Sequence, residues 1–375
     1  MKLIMTIIKI IDAPIVDSSP DKITKRLREV LKRIRKAKHL NESKTGSKQS
    51  KTNDGHDFEE LDDERDDEFG LSYHDERRIV ERATKLQKAR LAAAGLSHLK
   101  KEEYERLEPS LGGMQIVMPK GADWADQIAA DLHEEMPWMA PATEHVWHAL
   151  RLAAQRGEPV TLRPVILNGP PGIGKSVWAR ALATALSLNF VDIDASKGGA
   201  GMGLVGVERG WGTALPGRPI DLMLSKRIAN PLIIVDEICK SRSATSMRGS
   251  VFVFADALLS LLEPATAKKW ECPYFRVRFD MSHISWVLTS NVVSNVPEPV
   301  RSRCQVIEIP DITIDQLHSF ARKRGMKLGL SEASVEAVVM AASQAPVVTR
   351  RRQSLRDVVR MLERAEVLEG RPRVH

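Results

Sequence analysis

Apolar residues along this 375-residue chain fall into two rhythms. Residues 21 to 40, DKITKRLREVLKRIRKAKHL, place Ile23, Leu27, Val30, Leu31 and Ile34 three and four apart, the spacing of one helical face, and fill the other positions mostly with lysine and arginine. From about residue 164 the rhythm changes to short apolar runs closed by polar residues or glycine, which is how strands buried on both faces of a parallel sheet read. Five runs are predicted as strands, near 164–168, 189–193, 231–235, 284–290 and 305–309. They predict a three-layer α/β domain with a parallel five-stranded sheet, followed by a small helical lid. A charged helix is predicted from about Tyr73 to Leu107. The opening MKLIMTIIKIIDAPIV is interrupted by Lys9 and followed by no small-residue cleavage site, so it fits a short strand or a weak amphipathic segment better than a secretory signal. These shifts in texture divide the chain into a charged, helical or partly disordered N-terminal region (1–113), the α/β domain (114–310) and the lid (311–375).

Hydrophobic residues at 43% are enough for a packed core and exclude a wholly disordered chain. Cys239, Cys272 and Cys304 are too few and too scattered for a disulfide scaffold or a four-cysteine zinc site, which fits a reducing compartment and a cytoplasmic location. No apolar run approaches the roughly 20 residues of a membrane-spanning helix. The net charge of +7 suggests nucleic acid until its distribution is read. Residues 22–51 carry 12 basic and 2 acidic side chains, whereas residues 54–68 carry 10 acidic and 1 basic, so the two blocks largely cancel. The basic helix therefore fits two readings: a surface for RNA, DNA or an anionic membrane, or a solvated helix packed on its own acidic neighbour. The stretch NESKTGSKQSKTNDGHD after it reads as a linker.

The sharpest segment is PVILNGPPGIGKSVWARALATAL, residues 164–186. An apolar strand leads into Gly169, Pro170, Pro171, Gly172, Ile173, Gly174, Lys175 and Ser176, and an alanine- and leucine-rich helix starts at about Lys175, with Val177 counted among the cofactor-binding residues. This is the spacing of a phosphate-binding loop in the strand-before, helix-after context it requires. The glycines permit backbone conformations closed to other residues and let N–H groups approach phosphate oxygens, while the helix aims its positive end at the same anion. Lys175 would neutralise the β- and γ-phosphates of ATP, and the Ser176 hydroxyl would ligate Mg2+. The alternative is a plain Gly-Pro turn.

An ATPase also needs a carboxylate beyond the metal. The run Leu232-Ile233-Ile234-Val235 ends in Asp236 and Glu237, the first of them 61 residues after Lys175. Asp236 would hold Mg2+ through its water shell and Glu237 would polarise the attacking water. A third apolar run ends in Thr289, Ser290 and Asn291, at the strand end where ligands of open parallel sheets bind, so Asn291 either orients the water or forms a turn.

The order of phosphate loop, Asp-Glu strand, Thr-Ser-Asn strand and Pro299-Val300-Arg301-Ser302-Arg303-Cys304 resembles the AAA+ ATPase module. Gly212-Thr213-Ala214-Leu215-Pro216-Gly217-Arg218, Asn230-Pro231, Ala257 to Pro264 and Val306-Ile307-Glu308-Ile309-Pro310 narrow the likeness to the ATPase portion of Lon proteases, over about residues 130–365. The resemblance implies that Asn291 is the first sensor and that Arg303 is an arginine finger completing a neighbouring subunit's site, with a surface arginine as the alternative. It implies that Arg356 is the second sensor, although Arg350, Arg351, Arg352 and Arg360 compete for that role. Trp211, between Gly210 and Gly212, matches the pore-loop aromatic that grips a client chain, or it anchors its loop to the core. A homo-oligomeric ring, a hexamer, and a protein client are implied with them. Lon carries a peptidase domain after the lid; with the sequence ending at His375, proteolysis is not expected.

Weaker constellations complete the reading. His145 and His148 share a helical face and fit a metal pair or an ordinary surface. Cys239 and Cys304 flank the candidate site with no partner that argues for reactivity. Met136-Pro137-Trp138-Met139 either closes over the adenine or staples the domain start. Three functions remain: a Lon-like remodelling motor without its own peptidase, a nucleic-acid-associated ATPase resembling clamp loaders, and an ATP-dependent assembly switch. An intact Glu237, Asn291 and Arg303 argue against the switch, because a pure binder needs no water-activating acid.

Overall fold

The computed structural model describes residues 4–14, 20–46, 71–209, 214–241, 243–245, 251–349 and 353–370. The chain divides into two compact units, Met1–Asp12 with Pro109–His375, and Ala13–Glu108. In the larger unit five strands form the central sheet: β1 (Val165–Asn168), β2 (Phe190–Asp194), β3 (Leu232–Asp236), β4 (Ser285–Ser290) and β5 (Gln305–Glu308). Their order is β5-β1-β4-β3-β2 and every pairing is parallel. Each lies within one residue of the run that predicts it, because the inner strands β1, β3 and β4 are covered on both faces and so are apolar along most of their length, while the edge strands β2 and β5 keep polar residues. All six residues of β4, in the middle of the sheet, are buried.

Parallel strands end on the same edge, so Asn168, Asp194, Asp236 and Ser290 come to one rim. Helix α1 (Lys175–Ala185) follows the loop after β1 and buries Trp178, Ala179, Leu182 and Ala183, an apolar stripe at three- and four-residue spacing. Trp178 Nε1 donates to Thr143 Oγ1 at 3.1 Å, which ties α1 to the helix Ala140–Arg156.

The opening strand Ile4–Ile8 pairs antiparallel with Met114–Met118 and belongs with the α/β unit, although its sequence position places it in the 1–113 region. Pairing across more than a hundred residues leaves no local pattern. Asn230 fixes the same corner: fully buried, its Nδ2 donates to Val117 O (3.0 Å) and Val160 O (2.8 Å), and its Oδ1 accepts from Val117 N (3.0 Å). A buried amide with these bonds satisfied stabilises the corner; stripped of them it would destabilise it.

In the region predicted as the lid, and within the same compact unit as the sheet, lie three helices, α2 (Ile314–Lys327), α3 (Glu332–Thr349) and α4 (Leu355–Glu369). Thr313 with Gln316, and Ser354 with Asp357, form capping boxes that fix the starts of α2 and α4. Leu355, Val358, Leu362 and Ala365 make the buried stripe of α4. At Gly325 a Cβ would lie 2.5 Å from Val335 Cγ2, so α2 and α3 approach at a distance only glycine allows.

In the smaller unit the basic helix spans Pro20–Gly46 and packs on the helix Tyr73–Ala93. Arg28 reaches Glu76 at 2.7 Å and Arg35 reaches Asp75 at 2.6 Å, so the cations find their partners in the acidic first turn of the next helix. The Asp75 carboxyl falls to about 2, held first by the Ser72 hydroxyl and then by Arg35. The acidic run 54–68 lies outside the described residues. The single helix predicted from Tyr73 to Leu107 is instead two, Tyr73–Ala93 and Lys101–Leu111, because Gly95 turns left-handed (φ +71°) and ends the first. Among the described residues no helix is long and apolar enough to cross a membrane.

Candidate active site

The loop 169–174 is held by backbone bonds and by close packing. Gly169 N donates to Ser290 O at 3.1 Å, joining the loop to the end of β4. Gly172 and Gly174 have φ of +80° and +89°, where a side chain is strained. A Cβ at Gly172 would also meet Ser354 Cβ at 2.7 Å, and Leu355 N donates to Gly172 O at 3.1 Å. The first turn of α4 therefore rests directly on the loop. Ile173 is buried, and its carbonyl accepts the Trp138 indole N–H at 2.8 Å.

No side chain caps the N-terminus of α1 at Gly174, which leaves its first N–H groups facing the loop, an arrangement that suits an anion. Lys175 is 7% exposed, and its ammonium donates to Gly169 O (2.7 Å), Pro170 O (2.9 Å) and Asn291 Oδ1 (2.9 Å). It thus joins the loop to the polar end of β4.

Around Asp236 the bonds are denser. Ser176 Oγ donates to Asp236 Oδ1 at 2.5 Å and Thr289 Oγ1 donates to the same oxygen at 3.0 Å. Arg180 lies 3.9 Å from Asp236 Oδ2 and 3.0 Å from Asp192 Oδ2. A hydroxyl and a carboxylate oxygen meeting at one point are the donor types a hard cation such as Mg2+ takes, so these residues fit that ion. Glu237 has φ +56°, an uncommon conformation for a non-glycine residue, and its N–H donates to Thr289 Oγ1 at 3.1 Å. Its carboxylate pairs with Lys240 at 2.8 Å. At the outer end of β2, the Ser196 hydroxyl bond lowers the Asp194 carboxyl below its ordinary range against the opposing effect of burial.

Lys175, Ser176, Asp236, Glu237, Thr289 and Asn291 line one cavity of about 820 Å³ between the sheet rim and the lid. Pro171, Gly172, Gly174, Lys175, Ser176 and Val177 form its floor, and Asp236, Glu237 and Asn291 stand on one wall. The lid contributes Arg356, Arg360 and Glu363 from α4, and Phe320 and Arg324 from α2. Trp138 and Phe320 meet edge to face at 6.2 Å and make an apolar end together with Met136. Trp138 is therefore both a staple for the loop and a wall of the cavity.

Arg303 does not line this cavity; it pairs with Glu263 at 3.3 Å and donates to Pro299 O at 2.8 Å. Trp211 lies outside the described residues, as do Arg350, Arg351 and Arg352. His145 is lowered by burial and by its neighbour His148, and no group of three or more metal-ligating side chains exists among the described residues. Burial pushes the Cys304 thiol up to about 12, which keeps it protonated. Burial also opposes ionisation of Cys239, but N–H groups of Asn291 and Val292 and the Ser290 hydroxyl outweigh it and lower its pKa.

Sequence reasoning assigned no role to Arg324, Phe320, Thr289 or Lys240. The four-residue spacing of Phe320 and Arg324 puts them on one face of α2, but a charged lid helix reads as solvated surface until the sheet is seen beside it.

Residues 165–311 match the family described as "ATPase family associated with various cellular activities (AAA)". The chain is 33% identical over 166 residues to the Lon protease of Clostridium acetobutylicum, covering 44% of this chain and 21% of that protein. It is 28% identical over 284 residues to the peroxisomal Lon protease homolog 2 of Spinacia oleracea, covering 69% of this chain and 29% of that protein. The chain thus spans less than a third of the length of these relatives. Among solved structures, the Hsp104:casein complex of S. cerevisiae in its extended conformation has a TM-score of 0.50 at 14% identity, over 77% of this chain and 54% of that chain, a likeness of fold alone.

Proposed function

We propose, from the premise that residues 165–311 are a domain of the AAA ATPase family with Lon-like relatives, that this chain binds Mg2+–ATP in the cavity, hydrolyses it, and uses the cycle to remodel a protein client. The observation that carries this reading is the convergence of Lys175, Ser176, Asp236, Glu237 and Asn291 under the lid. Gly169 to Val177 would wrap the phosphate tail, and Lys175 would exchange its carbonyl partners for phosphate oxygens. Ser176 and Asp236 would hold Mg2+, which neutralises phosphate charge when bound. Glu237 would accept the proton of the attacking water and Asn291 would orient that water.

The Lon likeness extends the reading to an oligomeric ring, a hexamer, with no peptidase contributed by residues 165–370. Arg303 would complete the site of a neighbouring subunit; its position outside its own chain's cavity supports that role. Arg356 would sense the γ-phosphate from the lid. The pore-loop role of Trp211 rests on the resemblance alone.

A second reading, action on nucleic acid, draws on the exposed Lys25, Arg26, Lys32 and Arg33 of the basic helix. Stimulation of ATP hydrolysis by an unfolded protein and not by DNA is expected; stimulation by DNA alone would replace the remodelling reading with the second. Glu237→Gln is expected to keep ATP bound while turnover falls by about 10²–10⁴-fold. Full turnover in that variant would remove Glu237 from its role, and the stalled protein is the form in which to capture a client.

A further inference from the structure

Two carboxylates compete for one guanidinium beside the position proposed for the metal. Arg180 stands one turn beyond Ser176 on α1, and side chains of a helix run back toward its N-terminus, so Arg180 lines the cavity. On the edge strand β2, Asp194 lies opposite Asp236 in the parallel register, and Asp192 sits two residues earlier on the same face. Arg180 Nε donates to Asp192 Oδ2 at 3.0 Å, whereas its Nη2 stays 3.9 Å from Asp236 Oδ2. The first distance is a hydrogen bond and the second is not.

The two oxygens of Asp236 therefore differ. Oδ1 accepts the Ser176 and Thr289 hydroxyls, while Oδ2 accepts no hydrogen bond among the described residues. Arg180 is the group that answers the Asp192 charge, because the other Asp192 oxygen, Oδ1, is buried and accepts no hydrogen bond among the described residues. The remaining charges of β2 are settled elsewhere. Arg218 donates to the Asp192 backbone carbonyl at 2.6 Å, and Asp194 accepts from Ser196 and pairs with Lys197.

We infer that Asp192 is a positioning residue that draws Arg180 aside and so leaves Asp236 Oδ2 open to the water shell of Mg2+. This rests on the reading of Asp236 as a metal residue. With Asp192 neutral, the guanidinium gains more from the charged Asp236, and it then competes with the hydrated cation for the same oxygen. The Arg180 and Asp192 side chains are 42% and 36% exposed, so the pair is weak and the effect is a few-fold change in metal affinity.

The test loads the protein with a non-hydrolysable ATP analogue and titrates it with Mn2+, a paramagnetic stand-in for Mg2+, following the free ion by electron paramagnetic resonance. Asp192→Asn, which keeps the shape of the side chain, is expected to raise the Mn2+ Kd by about two- to fivefold, and Asp192→Ala to act in the same direction. Thermal midpoints check that each variant is folded. Arg180→Met binds Mn2+ at least as tightly as the unaltered protein, and Arg180→Met combined with Asp192→Asn matches Arg180→Met alone, since no guanidinium remains to be drawn aside. An unchanged Kd in the folded Asp192 variants overturns the inference. So does a weakening that persists in the double variant, which would make Asp192 a plain long-range charge, or a weakening in Arg180→Met, which would make the arginine a support for Asp236. An Asp236→Asn protein that keeps its Mn2+ affinity would instead remove the metal role of Asp236, which separates the two failures.

Discussion

On the sheet side of the cavity the polar groups hold one another: Lys175 on two carbonyls and Asn291, Ser176 and Thr289 on Asp236, Glu237 on Lys240. On the lid side Arg324, Arg356 and Arg360 face the same space and make no ion pair among the described residues. The contrast separates two ways of handling charge. The sheet side is fixed in place by its own bonds, so an arriving ligand must take those bonds over one for one. The lid side keeps guanidinium groups in water, where a cation costs little, so that they gain partners only when a polyanion enters.

Lys175→Met, which removes the cation at the centre of the sheet-side network, carries the largest expected effect. ATP binding and turnover are expected to fall together, with hydrolysis lowered by roughly a thousandfold or more, measured by steady-state assay and nucleotide titration. Retained binding would mean that the lid arginines carry the anion by themselves. Gly172→Ala tests the seam between the two sides. Its φ of +80° and the 2.7 Å approach of Ser354 Cβ predict a loss of about 1–3 kcal/mol in denaturant unfolding, because α4 must move off the loop. A wild-type midpoint would show that the lid does not rest there. Arg356→Ala and Arg360→Ala sharpen the lid side. With no partner to lose, each should leave stability within about 0.5 kcal/mol, and the one that meets the γ-phosphate should lower kcat by about tenfold while the other changes it little. Equal losses would show the two acting together.

The sheet and the loop were legible because their constraints are local. A strand covered on both faces needs an unbroken apolar run, and a phosphate cradle needs Gly169, Gly172 and Gly174 within six residues. The break after Ala93 leaves little trace in the sequence, because one glycine in a charged helical pattern is tolerated as often as it terminates. Asn230 entered as one element of a family likeness, and its three hydrogen bonds show what an asparagine at that corner does for the fold.

The five strands, the glycine loop and the acids Asp236 and Glu237 at the end of the third run follow from hydrophobic period, φ freedom or charge within a few residues, so local pattern alone specifies them. Folding in three dimensions sets the rest: Ile4–Ile8 joins the α/β unit, Arg324 and Phe320 wall the cavity, Arg303 stands outside it, and Lys240 pairs with Glu237. The first three depend on contacts between segments far apart in the chain, and the last on a left-handed turn at a residue whose side chain gives no hint of it.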